Sequence, residues 1–374
     1  MFIMPDEDGK YLDVKLLKGK QMKDSRKLRV YECSGTPYEI GKQYGAACRD
    51  NIVKSINELV ASIGMMRKVS KADILANTRK YLPSVERFDP ELIEMMKGQA
   101  EGAGVLFDEI LMLMCRFELG LYYQRVTCLC TSFAATGKAT KGGKTIIGQN
   151  FDLNVGLSID LVRKKYRDNF EQLSLVFGGA CEVLLNSAGL AMTLNVMLSP
   201  INDQTLNVPC CCVISSAMRQ KRIGDALGVV CASGRSILNY TFGSAEGDII
   251  AIETRPNDFS VLQPEGDMLV HSNHYLTERL KRGDGTFGLM EGDSYIRVQR
   301  IKRLMERHYG DLTVELMMEF MADHNNYPNS ICAHMNPQMP RGETLASLIM
   351  VPEDKVMYVA WGQPCRYEYE EYRL

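Results

Sequence analysis

The sequence has no excess of charge of either sign and no long apolar run. Lysine and arginine number 44, aspartate and glutamate 46, and the formal net charge is -2. Proteins that bind nucleic acid or an anionic membrane present a basic surface, so neither partner is expected. The longest apolar stretches, such as GDIIAIE and LASLIMV, fall far short of the roughly 20 residues of a membrane-spanning helix. The first residues, MFIMPDEDGKYLDVK, show no basic leader before an apolar core, which predicts a cytoplasmic location.

The chain also lacks the cysteine spacing of a disulfide framework, although it contains 12 cysteines. Such frameworks belong mainly to short secreted chains, and a reducing compartment keeps thiols free. Most of these cysteines are therefore expected to be small buried residues. A zinc site built from Cys128, Cys130 and the triplet at 210–212 is disfavoured, because adjacent cysteines point apart and structural zinc sites space them about two to four apart. The sequence predicts no metal and no other cofactor.

The hydrophobic periodicity changes near residue 128. Before this point apolar residues recur at helical spacing, and Thr36, Ser70 and Asp89 are suitable N-terminal caps. After it, short runs rich in apolar and β-branched residues alternate with turn sequences such as GKATKGGK. This order predicts an α+β protein in which antiparallel sheets are packed between helical layers.

The predicted elements follow from these patterns. The helices are expected at 35–66, 70–82, 89–104, 107–123, 209–220, 222–233, 292–310 and 312–324. The strands are expected at 130–137, 144–153, 172–177, 181–187, 190–197, 235–243, 247–254, 259–266 and 267–276, with a closing hairpin at 343–364.

Cys130 begins one of the predicted strands, CTSFAATG, and is a candidate nucleophile. A catalytic thiol needs a base and a stabilised oxyanion. A papain-like site would use a histidine such as His274, but the glycine, serine and tryptophan that flank such a cysteine are absent. The alternative is cleavage of the chain just before Cys130. The new α-amine, with an unperturbed pKa of about 7.7–8.0, could then act as the base for its own thiol.

Four stretches carry a resemblance to a known family. In chain order they are SGTPYEIGKQYGAA, CTSFAATG with GGKTIIGQNFDL, VHSNHYL, and SICAHMNPQMPRGETLASLIMVPEDKVMYVAWGQP. Together, over residues 34 to 365, they resemble the penicillin acyltransferase-like family, the acyl-CoA:6-aminopenicillanate acyltransferase group of N-terminal nucleophile (Ntn) hydrolases. The resemblance implies a four-layer αββα sandwich with antiparallel sheets. It also implies self-cleavage between Leu129 and Cys130, giving a helical chain 1–129 and a catalytic chain 130–374 that remain parts of one unit.

The resemblance also implies roles for individual residues. Cys130 would be the nucleophile, and Asp152 would orient its amine or position the cysteine. Asn273 would donate its side-chain amide to the oxyanion, and Arg341 would lie near the cleavage site and the pocket. Thr131, Asn150 and His274 are further candidates for binding the substrate. Leu129 stands where the best-known member of the family has glycine.

The expected reaction is attack of Cys130 on a small-molecule N-acyl amide or acyl thioester. Hydrolysis is favoured over transfer to an amine, because water is always present and an amine needs a dedicated site. Three alternatives stay open: an unprocessed relative, a papain-like hydrolase without self-cleavage, and a cysteine-rich metal-binding or redox protein. The two cleaved chains are expected to associate, and a higher oligomer is open.

Overall fold

The computed structural model describes residues 23–123, 129–197, 206–234, 237–281, 292–335 and 342–374. The helices are α1 (Pro37–Ala47), α2 (Arg49–Arg67), α3 (Lys71–Arg79), α4 (Leu82–Phe88), α5 (Pro90–Ala103), α6 (Phe107–Met114), α7 (Arg116–Tyr122), α8 (Cys210–Ala217), α9 (Ile223–Ala232), α10 (Glu278–Lys281), α11 (Asp293–Arg307) and α12 (Val314–Met321). The strands are β1 (Val30–Gly35), β2 (Leu129–Gly137), β3 (Gly143–Leu153), β4 (Ile159–Tyr166), β5 (Glu171–Phe177), β6 (Cys181–Asn186), β7 (Leu190–Val196), β8 (Leu238–Ser244), β9 (Ile249–Arg255), β10 (Asp258–Leu262), β11 (Met268–His271), β12 (Glu343–Val351), β13 (Val356–Ala360) and β14 (Glu370–Arg373).

The strands form two sheets. One has eight strands in the order β1-β4-β5-β6-β7-β8-β9-β10, and the other has six in the order β11-β2-β3-β12-β13-β14. The pairs are antiparallel except for β1 with β4, which is parallel. The predicted hairpins at 130–153 and 343–364 are confirmed, because β2 pairs with β3 and β12 pairs with β13.

The two sheets face each other, and helices cover both outer faces. Residues of α1, α2, α5, α6 and α8 share one apolar core with the eight-stranded sheet and with the inner face of the six-stranded sheet. A second core joins the outer face of the six-stranded sheet to α11 and α12 through residues such as Phe133, Ile301 and Phe320. The arrangement is the four-layer αββα sandwich that the sequence predicts.

Local sequence explains where the N-terminal helices begin and break. Thr36 and Ser70 each form a capping box, and the side chain of Asp89 accepts a hydrogen bond from the backbone N–H of Leu92. The helix expected at 35–66 is interrupted by Cys48, which has φ -113° and ψ 21°. The helix expected at 107–123 is interrupted in the same way at Cys115, so each predicted helix is a pair of shorter ones.

Helices α1 and α5 approach each other closely because glycines line their contact. A Cβ atom built on Gly41 would lie 1.9 Å from the Met95 carbonyl oxygen, and one on Gly98 would lie 2.0 Å from the Tyr38 oxygen. The side chains of larger residues would hold the two backbones apart. Among the described residues, no helix combines the length and apolar composition needed to cross a bilayer.

Candidate active site

The side chains of β2 alternate between the two cores of the sandwich. The Ser132 hydroxyl donates to Asn195 Oδ1 in β7 at 2.7 Å, so the even-numbered positions face the space between the sheets. Arg297 Nη1 of α11 donates to Thr131 Oγ1 at 2.7 Å, so the odd-numbered positions face the outer helices. Cys130 shares the parity of Ser132 and belongs to the core between the sheets. Its side chain and its main chain therefore meet different surroundings.

The main chain of Cys130 is held on both sides by polar groups. Its N–H, which is part of the peptide bond to Leu129, donates to Asn273 Oδ1 at 2.8 Å. Its carbonyl oxygen accepts from Ser272 Oγ at 2.9 Å and from Arg297 Nη1 at 2.5 Å. The four residues are 0–1% exposed, so bulk water does not compete for these hydrogen bonds. The amide that would become the N-terminal amine is fixed in position.

Arg297, like Ser272, is a residue of this site that the sequence did not single out. Its guanidinium also donates to Asn273 Oδ1 through Nη2 at 3.0 Å. Charge-assisted hydrogen bonds from one planar guanidinium hold several acceptors in a fixed arrangement. In the sequence SYIRVQRIKRLMER it looks like one of several surface cations. Helical spacing would have distinguished it, since it shares the buried face of α11 with Ser294, Val298, Ile301 and Met305.

Asp152 lies next to the predicted cleavage site, as expected from the sequence. Its Cα is the register partner of Leu129 in β2 on one side and of Thr344 in β12 on the other. The Thr344 hydroxyl donates to Asp152 Oδ1 at 2.6 Å. Burial raises the pKa of Asp152 to about 7, against the opposing effects of the Arg297 charge and the Thr344 hydrogen bond. Asp152 is therefore a carboxyl group that titrates near neutral pH.

Asn273 presents its carbonyl oxygen to Cys130. This orientation is consistent, because the Cys130 N–H and the Arg297 guanidinium are both donors and need an acceptor. The side-chain nitrogen donates to the Val196 carbonyl at 3.0 Å, and the Asn273 N–H donates to Ser294 Oγ at 2.9 Å. In this arrangement Asn273 holds the backbone amide of Cys130. Its donation to an oxyanion stays a prediction.

The two histidines of this segment are tied to other groups. His271 Nε2 lies 2.8 Å from Glu253 Oε1, and His274 Nδ1 lies 2.7 Å from Ser294 Oγ. Burial, together with the neighbouring His271 and the Arg297 charge, lowers the pKa of His274 to about 3. An imidazole that resists protonation in this way is a poor base for a thiol.

The structure gives the contacts of some of the remaining candidate residues. Asn150 Nδ2 donates to the carbonyls of Met321 and Ile331, both at 2.8 Å, and so ties β3 to the segment after α12. Thr131 contacts Arg297, as described above. For Thr131, Asn150 and His274 a role in substrate binding stays a prediction. Arg341 and Cys128 lie outside the described residues.

A cavity of about 420 Å³ is lined mainly by residues of α2, α7, β3 and the segment after β3, and not by Cys130 itself. Phe151, the register partner of Cys130, forms part of its wall, together with Phe177, whose ring centroid is 4.4 Å away. Cys181, another wall residue, is close enough to the Cys130 thiol to interact with it electrostatically. The other lining residues are mostly apolar, and include Leu59, Ile63, Met65, Phe117, Leu153, Val155, Leu157 and Leu194, with Glu58 and Arg116 among the charged ones.

Comparisons with solved structures show a distant likeness. Penicillin V acylase from Agrobacterium tumefaciens has 13% identity and a TM-score of 0.42, with 62% of this chain and 83% of that chain covered. A variant of the conjugated bile acid hydrolase from Clostridium perfringens has 11% identity and a TM-score of 0.40, with coverages of 66% and 97%. With TM-scores below 0.5, these structures add nothing to the assignment, which rests on sequence.

Sequence comparison finds relatives of higher identity. An acyl-coenzyme A:6-aminopenicillanic-acid-acyltransferase 40 kDa form from Emericella nidulans is 25% identical over 342 residues, covering 89% of this chain and 92% of that protein. An uncharacterized protein from Archaeoglobus fulgidus is 23% identical over 354 residues, and the match covers 79% of this chain but 57% of that protein. The model of one family matches residues 139–366, which is more than half of the chain. The chain therefore belongs to the acyl-coenzyme A:6-aminopenicillanic acid acyl-transferase family.

Proposed function

We propose that the protein is a self-processing N-terminal-cysteine enzyme that cleaves an N-acyl amide through an acyl–Cys130 thioester. One observation carries this proposal. Asn273, Ser272 and Arg297 hold the main chain of Cys130, while its side chain belongs to the core on the other face of the sheet, where its ladder partner Phe151 forms part of the cavity wall. This division fits a nucleophile whose amine must be held in place while its sulfur meets an acyl group.

Processing would begin with attack of the Cys130 sulfur on the Leu129 carbonyl carbon. The C–N bond breaks, the nitrogen takes up a proton and becomes the α-amine, and a thioester links Leu129 to the sulfur. Water then cleaves the thioester, releasing the Leu129 carboxylate and the free thiol. Leu129 is 7% exposed and pairs in the ladder with Asp152, so the bond is out of reach of an external protease. We therefore expect an intramolecular reaction.

The surroundings favour a neutral amine after cleavage. The nitrogen of Cys130 already lies 2.8 Å from Asn273 Oδ1, which would accept a hydrogen bond from the amine as it does from the amide. Arg297 sits within hydrogen-bonding distance of both Asn273 and the Cys130 carbonyl. A buried positive charge so close disfavours the ammonium form, so we expect an amine pKa below the ordinary 7.7–8.0. The neutral amine is the form that accepts the thiol proton.

The substrate would carry an apolar acyl group. The amine removes the proton from Sγ, the sulfur attacks the substrate carbonyl, and the leaving amine departs with that proton. Water then hydrolyses the thioester, which regenerates the enzyme. An amine in place of water gives acyl transfer, and an acyl thioester, of the kind named for the relative from Emericella nidulans, could replace the amide as donor. We favour hydrolysis, because water needs no binding site of its own.

The test is to trap the acyl-enzyme. The processed protein would be mixed with a series of N-acyl p-nitroanilides, from acetyl to dodecanoyl, quenched in acid and mapped by peptide mass. We expect a burst of p-nitroaniline with the longer acyl groups and an acyl mass on the peptide that begins with Cys130. A Cys231→Ser variant, which alters a half-buried cysteine in α9, should behave like the wild type. Acylation of another cysteine, or turnover without any adduct, would contradict the proposal.

A further inference from the structure

Four side chains from three segments converge beside the six-stranded sheet. His324 follows α12, Cys332 and His334 precede β12, and Cys365 follows β13. Their ligand atoms, one per residue, all lie within 4.8 Å of one another. Two thiols and two imidazoles form a donor set that is typical of tetrahedral zinc. We call these four residues the Cys₂His₂ cluster.

The distances match the edges of a tetrahedral metal site. Zinc bonds of about 2.3 Å to sulfur and 2.0–2.1 Å to nitrogen place two nitrogens about 3.3 Å apart, and a nitrogen and a sulfur about 3.5 Å apart. The Nε2 atoms of His324 and His334 are 3.0 Å apart. His334 Nε2 is 3.6 Å from Cys332 Sγ and 3.4 Å from Cys365 Sγ. Small movements would bring all four atoms to one ion.

Hydrogen bonding alone does not explain this arrangement. Three groups lie against the single atom Nε2 of His334, namely the other imidazole and the two thiols. A ring nitrogen has either one proton or one lone pair, so it satisfies one such partner. A shared cation uses the lone pairs of all four residues at once. The side chains are also half-buried or buried except for His324, which limits competition from water.

The backbone of this segment is shaped independently of the cluster. The N–H of Cys332 donates to the Asp323 carbonyl, and the N–H of His334 donates to the Pro328 carbonyl, both at 3.0 Å. Asp323 in turn pairs with Arg300 of α11. Ligands held by their own backbone contacts need little reorganisation to bind an ion. The prediction of no metal rested on cysteines close in sequence, whereas these ligands span three segments.

The cluster also adjoins the candidate active site. The Ile331 carbonyl, one residue before Cys332, accepts from Asn150 of β3 at 2.8 Å. The N–H of Ala333 donates to Thr344 Oγ1 at 2.9 Å, and the same hydroxyl donates to Asp152. An ion at the cluster would fix the segment that supports both β3 and Asp152. Four protein ligands leave no open position, as in structural rather than catalytic zinc sites.

We propose that His324, Cys332, His334 and Cys365 bind one Zn²⁺ ion that fastens the 324–334 segment to the turn after β13. The site lies outside the proposed catalytic machinery and stands whether or not Cys130 is processed. Its ligands would be two thiolates and two neutral imidazoles, so binding releases the thiol protons to solvent.

The experiment measures zinc in the full chain, produced in zinc-supplemented medium and purified without chelators or an affinity metal. We expect about one zinc ion per chain by elemental mass spectrometry. The Cys365→Ser/His334→Gln variant should lose it, whereas the matched Cys231→Ser/His308→Gln variant, which alters the same residue types outside the cluster, should keep it.

A second measurement does not depend on the folding of a variant. Wild-type protein, demetallated by dialysis against a chelator and reduced, would be titrated with Co²⁺. We expect a thiolate-to-cobalt charge-transfer band and tetrahedral d–d bands that saturate at about one equivalent. Wild-type protein with neither zinc nor a cobalt spectrum would overturn the proposal. Equal zinc in both variants, or a Cys332–Cys365 disulfide in freshly purified protein, would overturn it as well.

Discussion

At the scale of single residues, the site joins the proposed nucleophile, Cys130, to buried groups of opposite charge. Arg297 is 1% exposed and contacts the Cys130 carbonyl, while Asp152 is equally buried and pairs in the ladder with Leu129, beside the proposed cleavage site. A buried charge is tolerated only when polar partners compensate its lost hydration. The buried charges of Arg297 and Asp152 therefore compensate each other, and substitutions can measure their effects on stability.

The raised pKa of Asp152 predicts a stability that depends on pH. Because its folded pKa of about 7 lies above the unfolded value near 3.8, the folded chain binds more protons between these limits, and its stability falls as pH rises. In a Cys130→Ala background, which keeps the precursor intact, Asp152→Asn should therefore raise the unfolding free energy at pH 8. At about 1.4 kcal/mol per pKa unit, the gain is at most about 4 kcal/mol, and it should vanish near pH 4.

Chemical denaturation of both proteins from pH 4 to pH 8.5 measures this difference. Asp311→Asn, at an exposed position, serves as the control and should leave the stability unchanged within about 0.5 kcal/mol. A loss of stability at pH 8 on replacing Asp152 would show instead that its carboxylate is a net stabilising partner of Arg297.

His274 separates the proposed mechanism from a papain-like one. Its low pKa and its contact with Ser294 make it a support for the segment that carries Asn273. His274→Gln in processed enzyme should lower the acylation rate by no more than about tenfold, since removal of a true general base costs about 10²–10⁴. Stopped-flow measurement of the p-nitroaniline burst provides the rate. A loss of a thousandfold, with processing unaffected, would favour histidine as the base.

At the scale of the elements, glycines in α1 and α5 allow these two helices to pack closely. Gly41 and Gly45 of α1 face Gly98 and Gly102 of α5, and a Cβ at any of the four would lie within 2.2 Å of a backbone oxygen. The SGTPYEIGKQYGAA motif thus serves the contact between two helices.

One of these glycines provides a test at the scale of the element. Gly98→Ala should lower the unfolding free energy by about 1–3 kcal/mol, because α5 must move away from α1. Gly228→Ala in α9, where a Cβ would meet nothing within 4 Å, should instead be neutral or stabilising by up to about 1 kcal/mol. Denaturant unfolding of the two variants measures both values. Equal effects would mean that the α1–α5 contact relaxes without cost.

Two of the elements that the sequence failed to predict carry many charges. Strand β4 contains Arg163, Lys164 and Lys165, and β14 is EEYR, so neither has the apolar alternation of a predicted strand. Lys164 is nevertheless buried against Glu182 of β6. Capped helices and apolar strands were predictable because local patterns specify them. Partners such as Arg297 were not, because tertiary contacts decide their burial.

At the scale of the whole molecule, the two predicted products of cleavage share one core. Strand β1 from the first part pairs with β4 from the second over six register positions. The N–H of Leu28 donates to the hydroxyl of Tyr372, near the other end of the chain, at 2.7 Å. Helices of the first part also contribute to the core of the eight-stranded sheet. Cutting one peptide bond removes none of these contacts.

The cleaved protein should therefore remain a single particle. Size-exclusion chromatography under native conditions should elute both chains together, at the volume of the intact Cys130→Ala protein or of a higher oligomer. Strong denaturant should be needed to separate them. Free elution of the 1–129 chain under native conditions would show that it is a released propeptide instead.

The central claim is that Cys130 becomes an N-terminus, and the most direct test is the intact mass of freshly purified protein in denaturant. The account predicts two masses for the wild type, matching residues 1–129 and 130–374, and a single full-length mass for Cys130→Ala. A single full-length mass for both proteins, from preparations that nevertheless turn over an N-acyl amide, would contradict it. The base for the Cys130 thiol would then have to be some group other than its own amine.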